Sequence, residues 1–369
     1  RAPSVGRTEV EVARPAPIDT PNTSTVEGTV PPTGTRVLVR FRREKKIGWV
    51  AGPGSGKDLA KVLPVLSVLD EEPSVSPELF GLARWMADYY LAPLGVVLKT
   101  MLPSAMSDSS GSLPIRTRRV ASIDRWLPNL ADRDEVFRRT PRQREAYEAL
   151  ESGGGSAELG PFLAQGGFSR SVIKGLEEKG IVVVKDLEFM RDPFREEEPE
   201  PPEQHQPTPD QASVLAELRR SIARGRPAPV LLHGITGSGK TLVYIELLKE
   251  ILAEGGKGAI VLVTEISLTP QTVARFRAHF GDEVAVLHSA LSAGERFDAW
   301  RQLRSGKKRI AVGARSAVFA PVPRLGAIVV DEEHDGSYKQ SEGPRYHGRD
   351  VAIVRAGRAG ALCLLGSAT

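Results

Sequence analysis

The 369-residue sequence predicts a multidomain α/β protein, with an open parallel α/β lobe behind two smaller units. Three observations carry that expectation. Residues 228–241 read as strand, glycine loop and helix. Residues 328–334 read as an apolar strand ending in acids. Between and around them, short apolar runs alternate with helical patterns, as βαβ units do.

In chain order, residues 9–66 read as β structure. Thr35–Phe41 alternates at period two, with Leu38 the exception, and Ile47–Val50 is its hairpin partner across basic Arg42–Lys46. A small barrel or sandwich is expected, its basic turn being either a solvated tip or a contact for a DNA backbone. Gly52–Lys57 imitates a phosphate loop. Ala51 stands where the first glycine is required, however, and Asp58 would repel phosphate, so a hairpin turn is expected.

Residues 76–91 change period. Ser76 can cap, Pro77 suits the first helical position, and Leu79, Leu82, Ala83, Met86, Tyr89 and Tyr90 follow at helical spacing, stopping before Pro93. Core packing is the favoured use of the two tyrosines, base stacking the alternative. Residues 104–118 read as a connector. Residues 140–190 form a second unit: a helix from Pro141, a short helix at Leu159–Leu163, a third capped by Ser169, then a strand at Ile181–Val184. Helix, helix, helix, β-ribbon is the order of a winged helix. Arg170 and Lys174 lie on the exposed side of its third helix, and DNA and protein are equal candidates as its partner. The acidic, proline-rich stretch 195–209 marks the clearest boundary.

After it, strands are expected at Val230–Leu232, Ala259–Val263, Val284–Leu287, Arg309–Gly313, Ala327–Val330 and Leu362–Leu365, with helices from Lys240, Pro270 and Ala293. Ligands in such sheets sit at the carboxyl ends of strands. Gly234, Gly239, Lys240 and Thr241 complete the phosphate-loop spacing there, with Gly237 inside the loop. Glycines let backbone N–H groups converge on phosphate oxygens, and the following helix points its positive end at the same anion. Lys240 is the cation for the β- and γ-phosphates, and the Thr241 hydroxyl suits Mg²⁺. Asp331 can bind Mg²⁺ through water, and Glu332 can orient or deprotonate the attacking water. His334 either couples nucleotide state to DNA-facing loops or is a core or capping histidine. Gln211, after Thr208 and Pro209, either reads an adenine edge or belongs to a plain helix cap.

The whole chain sets bounds. A net charge of +4 and a pI of about 9.1 are compatible with nucleic acid. Lone Cys363 excludes a disulfide framework or multi-cysteine metal site within this chain. No apolar run reaches the roughly 18 residues that suggest a membrane span. A cytoplasmic monomer without membrane association is expected. With Arg1 rather than Met first, some N-terminal sequence is expected to be missing.

These motifs resemble the superfamily-two DNA helicases and, within them, the PriA family of primosomal replication-restart helicases. The resemblance is carried by Gly234-Ile-Thr-Gly-Ser-Gly-Lys-Thr241, Glu265-Ile-Ser-Leu-Thr-Pro-Gln271, Gly313-Ala-Arg-Ser-Ala-Val-Phe-Ala-Pro321 and Asp331-Glu-Glu-His-Asp-Gly-Ser-Tyr-Lys-Gln340. Glu342-Gly-Pro-Arg-Tyr-His-Gly-Arg-Asp350 is similar to the family's aromatic-rich loop, which couples DNA binding to ATP hydrolysis. Leu82-Ala-Arg-Trp-Met-Ala-Asp-Tyr-Tyr-Leu-Ala-Pro-Leu-Gly95 is similar to the end of its 3′-DNA-end-binding domain.

The resemblance implies a 3′-end-binding domain over 1–105, a winged helix over 106–194, a linker over 195–207 and a RecA-like lobe over 208–369. It implies Arg315, Ser316, His334, Tyr338, Lys339, Arg345, Tyr346, His347 and Arg349 as the DNA-binding and coupling set. It also implies ATP and Mg²⁺ as ligands, forked and single-stranded DNA as substrates, and single-stranded-DNA-binding protein and other primosome proteins as partners. Pro21-Asn22-Thr23 stands where the family carries Phe-Asp-Tyr or Phe-Thr-Tyr, Thr264 where proline is usual, and Pro344 where some members have tryptophan. The family's second lobe and paired zinc sites are expected beyond Thr369, in a longer protein.

Overall fold

The computed structural model describes residues 30–53, 63–107, 113, 115–191, 206–225 and 227–368. The Pro21–Thr23 segment, most of the 52–57 turn and residues 195–205 of the 195–209 boundary lie outside these residues. The chain divides into two compact units, 1–114 with 192–369, and 115–191.

The first unit opens with β1 (Arg36–Phe41), β2 (Glu44–Trp49) and β3 (Val65–Val68), in the sheet order β2-β1-β3. The turn is shorter than its charges suggest: only Arg42 and Arg43 lie between the strands, Arg42 in the left-handed region at φ 57°. Arg36 is 1% exposed because its guanidinium grips Asp70 at 2.6 Å. Helix α1 (Pro77–Tyr89) begins as expected, the Ser76 hydroxyl accepting from Leu79 N at 3.3 Å. A second helix, α2 (Leu94–Met101), follows at once.

The second unit contains β4 (Arg116–Ile123), α3 (Leu130–Val136), α4 (Pro141–Ser152), β5 (Ser156–Glu158), α5 (Leu159–Gly166), α6 (Arg170–Glu178) and β6 (Val182–Phe189). Its antiparallel sheet runs β5-β4-β6 around a core that includes Ala121, Tyr147, Leu150, Ile173 and Leu176. The expected connector over 104–118 instead delivers the first residues of β4. The strand paired with β6 therefore precedes the helices, and among the described residues no local ribbon follows them. Exposed Arg116, Arg118 and Arg119 give β4 the composition of a linker. Arg118 is held to the sheet by Glu158 at 2.9 Å and by the Phe189 ring at 3.3 Å.

The first unit resumes with α7 (Pro209–Ala223), β7 (Val230–His233), α8 (Lys240–Ala253), β8 (Gly258–Leu262), α9 (Pro270–Phe280), β9 (Val284–Leu287), α10 (Ala293–Arg304), β10 (Ile310–Gly313), β11 (Leu325–Val330), α11 (Gly348–Ala359) and β12 (Leu362–Ser367). The six strands run β7-β12-β11-β8-β10-β9, and every pairing is parallel. All six carboxyl ends therefore meet on one edge. Side chains alternate across the pleat. Ile260, Leu262, Ile328 and Val330 enter one core cluster, while Ala259, Val261, Ala327 and Val329 enter the other. Burial on both faces is why these strands read as continuous apolar runs.

Strand β7 departs from its expectation as a buried strand. It is an edge strand paired only with β12, and Leu231 is 58% exposed. The first core cluster also takes in Leu79, Leu82, Ala83 and Met86 of α1 and Val97, Leu98 and Met101 of α2, so these two helices and the parallel lobe share one core, while Val37, Val39, Val50 and Val65 form a separate small one. Arg355 of α11, 0% exposed, pairs with Glu78 of α1 at 3.0 Å. Among the described residues no helix is long and apolar enough to cross a membrane.

Candidate nucleotide-binding site

The site forms where β7, β12 and β11 end. Gly234 N donates to Ser367 O at 3.0 Å and Glu333 N to Gly366 O at 2.8 Å, tying both flanking segments to the end of β12. Gly237 and Gly239 each take φ 81°, a conformation that costs glycine nothing. Gly239 is the N-cap of α8 and provides no side-chain cap, so the helix presents its first N–H groups to the loop. That is the cradle an anionic ligand requires.

Lys240 is 9% exposed. Its Nζ donates to Gly234 O at 2.7 Å and lies 3.6 Å from Glu332 Oε1. The loop lysine and the acid after β11 thus converge across 92 positions of sequence, from 240 to 332. Thr241 is the next residue of α8, partly exposed at its first turn. Gln211 joins the site from α7. Its Oε1 accepts from Thr208 N at 2.9 Å in a capping box, and its Nε2 donates to Ser238 O at 3.0 Å. The amide is thus both cap and brace of the phosphate loop.

Asp331 is fixed from two directions. Tyr244 donates its hydroxyl to Oδ1 at 2.9 Å, and Tyr338 donates to the Asp331 carbonyl at 2.6 Å. Burial pushes the Asp331 carboxyl above its ordinary value, assisted by Glu332 and opposed by the Tyr244 bond and by Lys240. Burial likewise raises Tyr244 and Tyr338, with Asp331 adding to both, so they remain donors. Glu332 sits at φ 45°, a left-handed conformation that costs a non-glycine residue about 1–3 kcal/mol. Neither lysine nor acid fits an apolar purpose here, and Thr241 and Asp331 fit a divalent cation: a carboxylate has about four acceptor sites, and Tyr244 takes one.

The residues expected to couple DNA to the site form a second cluster beside the first. His334 Nδ1 lies 3.2 Å from Ser367 Oγ and 3.9 Å from Glu332 Oε2. Arg349 pairs with Glu333 at 2.9 Å, which raises the arginine further. Arg315 donates to Ser337 O at 2.9 Å and Lys339 O at 2.7 Å. Lys339 bridges to His347 and donates from Nζ to Arg345 O at 2.8 Å. Ser316 is exposed after β10.

Tyr338 and Tyr346 are 0% and 1% exposed, so bracing is open to them and direct stacking on DNA is not. Burial pushes Tyr346 up to about 12. Sequence reasoning missed Tyr244 and Glu333 as contributors; Tyr90, expected in the core, is half-buried and its hydroxyl accepts from His347 N at 3.4 Å. Tyr244 had a signal, since it stands four residues after Lys240 on one helix face. A cavity of about 270 Å³ lined by Gly225, Lys257 and Arg324 lies at the opposite edge of the sheet, where β11 and β12 begin, away from this cluster.

Comparison with known proteins bears on the family. Residues 11–103 match the family model of the PriA 3′DNA-binding domain (3′BD), and residues 204–354 match the model described as type III restriction enzyme, res subunit. Replication restart protein PriA of Chlamydia pneumoniae is 38% identical over 91% of this chain and 45% of its own length. Its counterpart in Bacillus subtilis (strain 168) is 34% identical over 91% of this chain and 49% of its own. That of Treponema pallidum (strain Nichols) is 48% identical over 91% and 39% respectively. The chain spans somewhat under half the length of these relatives. Within that span it belongs to the PriA family of replication restart proteins.

Proposed function

We propose that this chain is the ATP-binding and DNA-engaging part of a replication-restart helicase, which recognises stalled forks and unwinds DNA as it hydrolyses ATP. The observation that supports this reading most strongly is the 3.6 Å approach of Lys240 Nζ to Glu332 Oε1 at the end of β11. A lysine suited to phosphate and an acid suited to water meet there as an ion pair.

Lys240 brings positive charge to the β- and γ-phosphates, and the amides of the α8 terminus bind the same oxygens. Glu332 orients the attacking water and accepts its proton. Thr241 and Asp331 are the residues that would hold Mg²⁺, which supplies further charge at the phosphates when bound. Gln211 stabilises the loop and offers an amide edge to adenine. Residues 315–349 relay DNA contact to the acids, with exposed Arg345 and Lys339 toward phosphate. Residues 115–191 act as a winged helix toward duplex DNA or a protein. Single-stranded-DNA-binding protein and other primosome components are the expected partners, in the cytoplasm, and the chain by itself is expected to turn over ATP slowly.

A non-enzymatic fork-binding scaffold is the rival. The intact set of Lys240, Asp331 and Glu332 favours the enzyme. Strand displacement by the longer protein on forked DNA separates them. Lys240→Ala should retain fork binding and lose ATP-driven displacement. Equal displacement by both proteins would refute the enzymatic reading.

A further inference from the structure

Arg355, on α11, is 0% exposed, and its guanidinium binds three acceptor atoms. Nε donates to Glu78 Oε1 at 3.0 Å and Nη2 to Glu78 Oε2 at 3.1 Å, a two-point grip on the first turn of α1. Nη1 donates to the Val318 carbonyl. One planar fork thus ties α1 and α11 to the turn Arg315–Phe319. A lysine ammonium is a point charge without the fork and would not fix the same three atoms. A buried arginine contributes little stability that an apolar residue of similar size would not, so stability alone does not account for it.

The turn that Arg355 holds lies against the segment that braces the nucleotide site. At its start, Arg315 donates to Ser337 O at 2.9 Å and Lys339 O at 2.7 Å. At its end, the Phe319 ring meets the Tyr346 ring edge-on, with centroids 5.1 Å apart. Between Ser337 and Lys339 stands Tyr338, whose hydroxyl holds the Asp331 carbonyl. The support on the other side is well packed. Leu79, Leu82, Ala83 and Met86 set α1 in the shared core. A Cβ at Gly81 would lie 2.9 Å from Arg358 Nη2, so α1 and α11 meet at close range.

We propose that Arg355 is a positioning residue for ATP hydrolysis: with α1 as its support, it sets the 315–319 turn so that Arg315 keeps Tyr338, and through it Asp331, in place. The proposal rests on the ATP-hydrolysing reading above and gives Arg355 a part in it. The bonds of Arg355 run to Glu78 and Val318 rather than to the phosphate loop or the acids. Its loss therefore slows turnover without weakening nucleotide binding.

The test is steady-state ATP turnover by the longer protein on single-stranded DNA, for the wild type, Arg355→Met, Arg315→Ala and the two changes combined. Arg355→Met should lower kcat about tenfold, the scale of one hydrogen bond to a charged group, with KM for ATP within about twofold. A residue that acts through Arg315 has nothing left to position once Arg315 is gone, so the combined variant should be no slower than Arg315→Ala. Independent damage would instead multiply the two losses, and that result would overturn the proposal. So would an unchanged kcat in Arg355→Met, or a raised KM with kcat intact. Arg355→Met with Glu78→Leu puts apolar groups in place of the ion pair. It should melt closer to the wild type than Arg355→Met alone and stay slow. Turnover that recovers together with melting would show that Arg355 serves stability only, which also overturns the proposal. If the wild type itself hydrolyses no ATP on DNA, the enzymatic reading falls and this role falls with it.

Discussion

Tyr244 donates its hydroxyl to Asp331 Oδ1 at 2.9 Å, from inside the helix that begins with Lys240. The two sides of the nucleotide site are thereby joined by one hydrogen bond beneath it. Gly366 makes the room: a Cβ there would lie 1.8 Å from the Tyr244 oxygen.

Tyr244→Phe should leave the fold intact and free the Asp331 carboxylate to rotate. A hydrogen bond to a charged group contributes about 1.5–3 kcal/mol. ATP turnover by the longer protein should fall roughly 10- to 100-fold, with more Mg²⁺ needed for half-maximal nucleotide binding. Unchanged Mg²⁺ dependence would show that Tyr244 does not position Asp331. Gly366→Ala should destabilise more broadly, by about 1–3 kcal/mol, because the tyrosine must move. Urea denaturation measures that.

The Arg355–Glu78 pair joins the N-terminal domain to the parallel lobe, and Arg355 is 0% exposed. Removing one partner strands a buried charge. Glu78→Ala should cost about 3–5 kcal/mol at most, less where water reaches the half-exposed carboxylate. Arg355→Met, which removes the buried charge, should cost less than Glu78→Ala. The reverse order in chemical denaturation would contradict the burial argument.

His347 has its pKa lowered, chiefly by burial. A depressed histidine binds fewer protons folded than unfolded, so its contribution to stability is present above about 6.5 and is lost as pH falls through the folded value. The wild type should melt progressively lower as pH drops below about 6.5. His347→Gln should flatten that dependence. Parallel pH profiles for the two proteins would rule out His347 as a source.

The phosphate loop and the acidic strand end were legible because each is local: strand, turn and helix follow within a few residues, and their chemistry depends on spacing. Several helix starts were legible for the same reason, through caps at Ser76 and Thr208. What stayed hidden depends on distant partners. Helix α11 carries Arg355 and Arg358 among glycines and alanines, and only distant contacts, with Glu78 and the Val318 carbonyl, explain its buried arginine. Helix α2 is an apolar run with two adjacent valines, which reads equally as a strand. The edge position of β7 follows from β12, more than 100 residues on. Tyr338 and Tyr346 look like surface aromatics in a charged segment, yet tertiary packing buries both.

The central claim is that Lys240 and the acids after β11 form one ATP site. Equilibrium binding of ATP with Mg²⁺ to this chain, by calorimetry, tests it most directly beside Lys240→Ala and Glu332→Gln. Saturable binding should weaken at least about tenfold in Lys240→Ala, or about 1.4 kcal/mol, and persist in Glu332→Gln, whose lost group serves water rather than phosphate. Equal affinity in the wild type and Lys240→Ala would contradict the site.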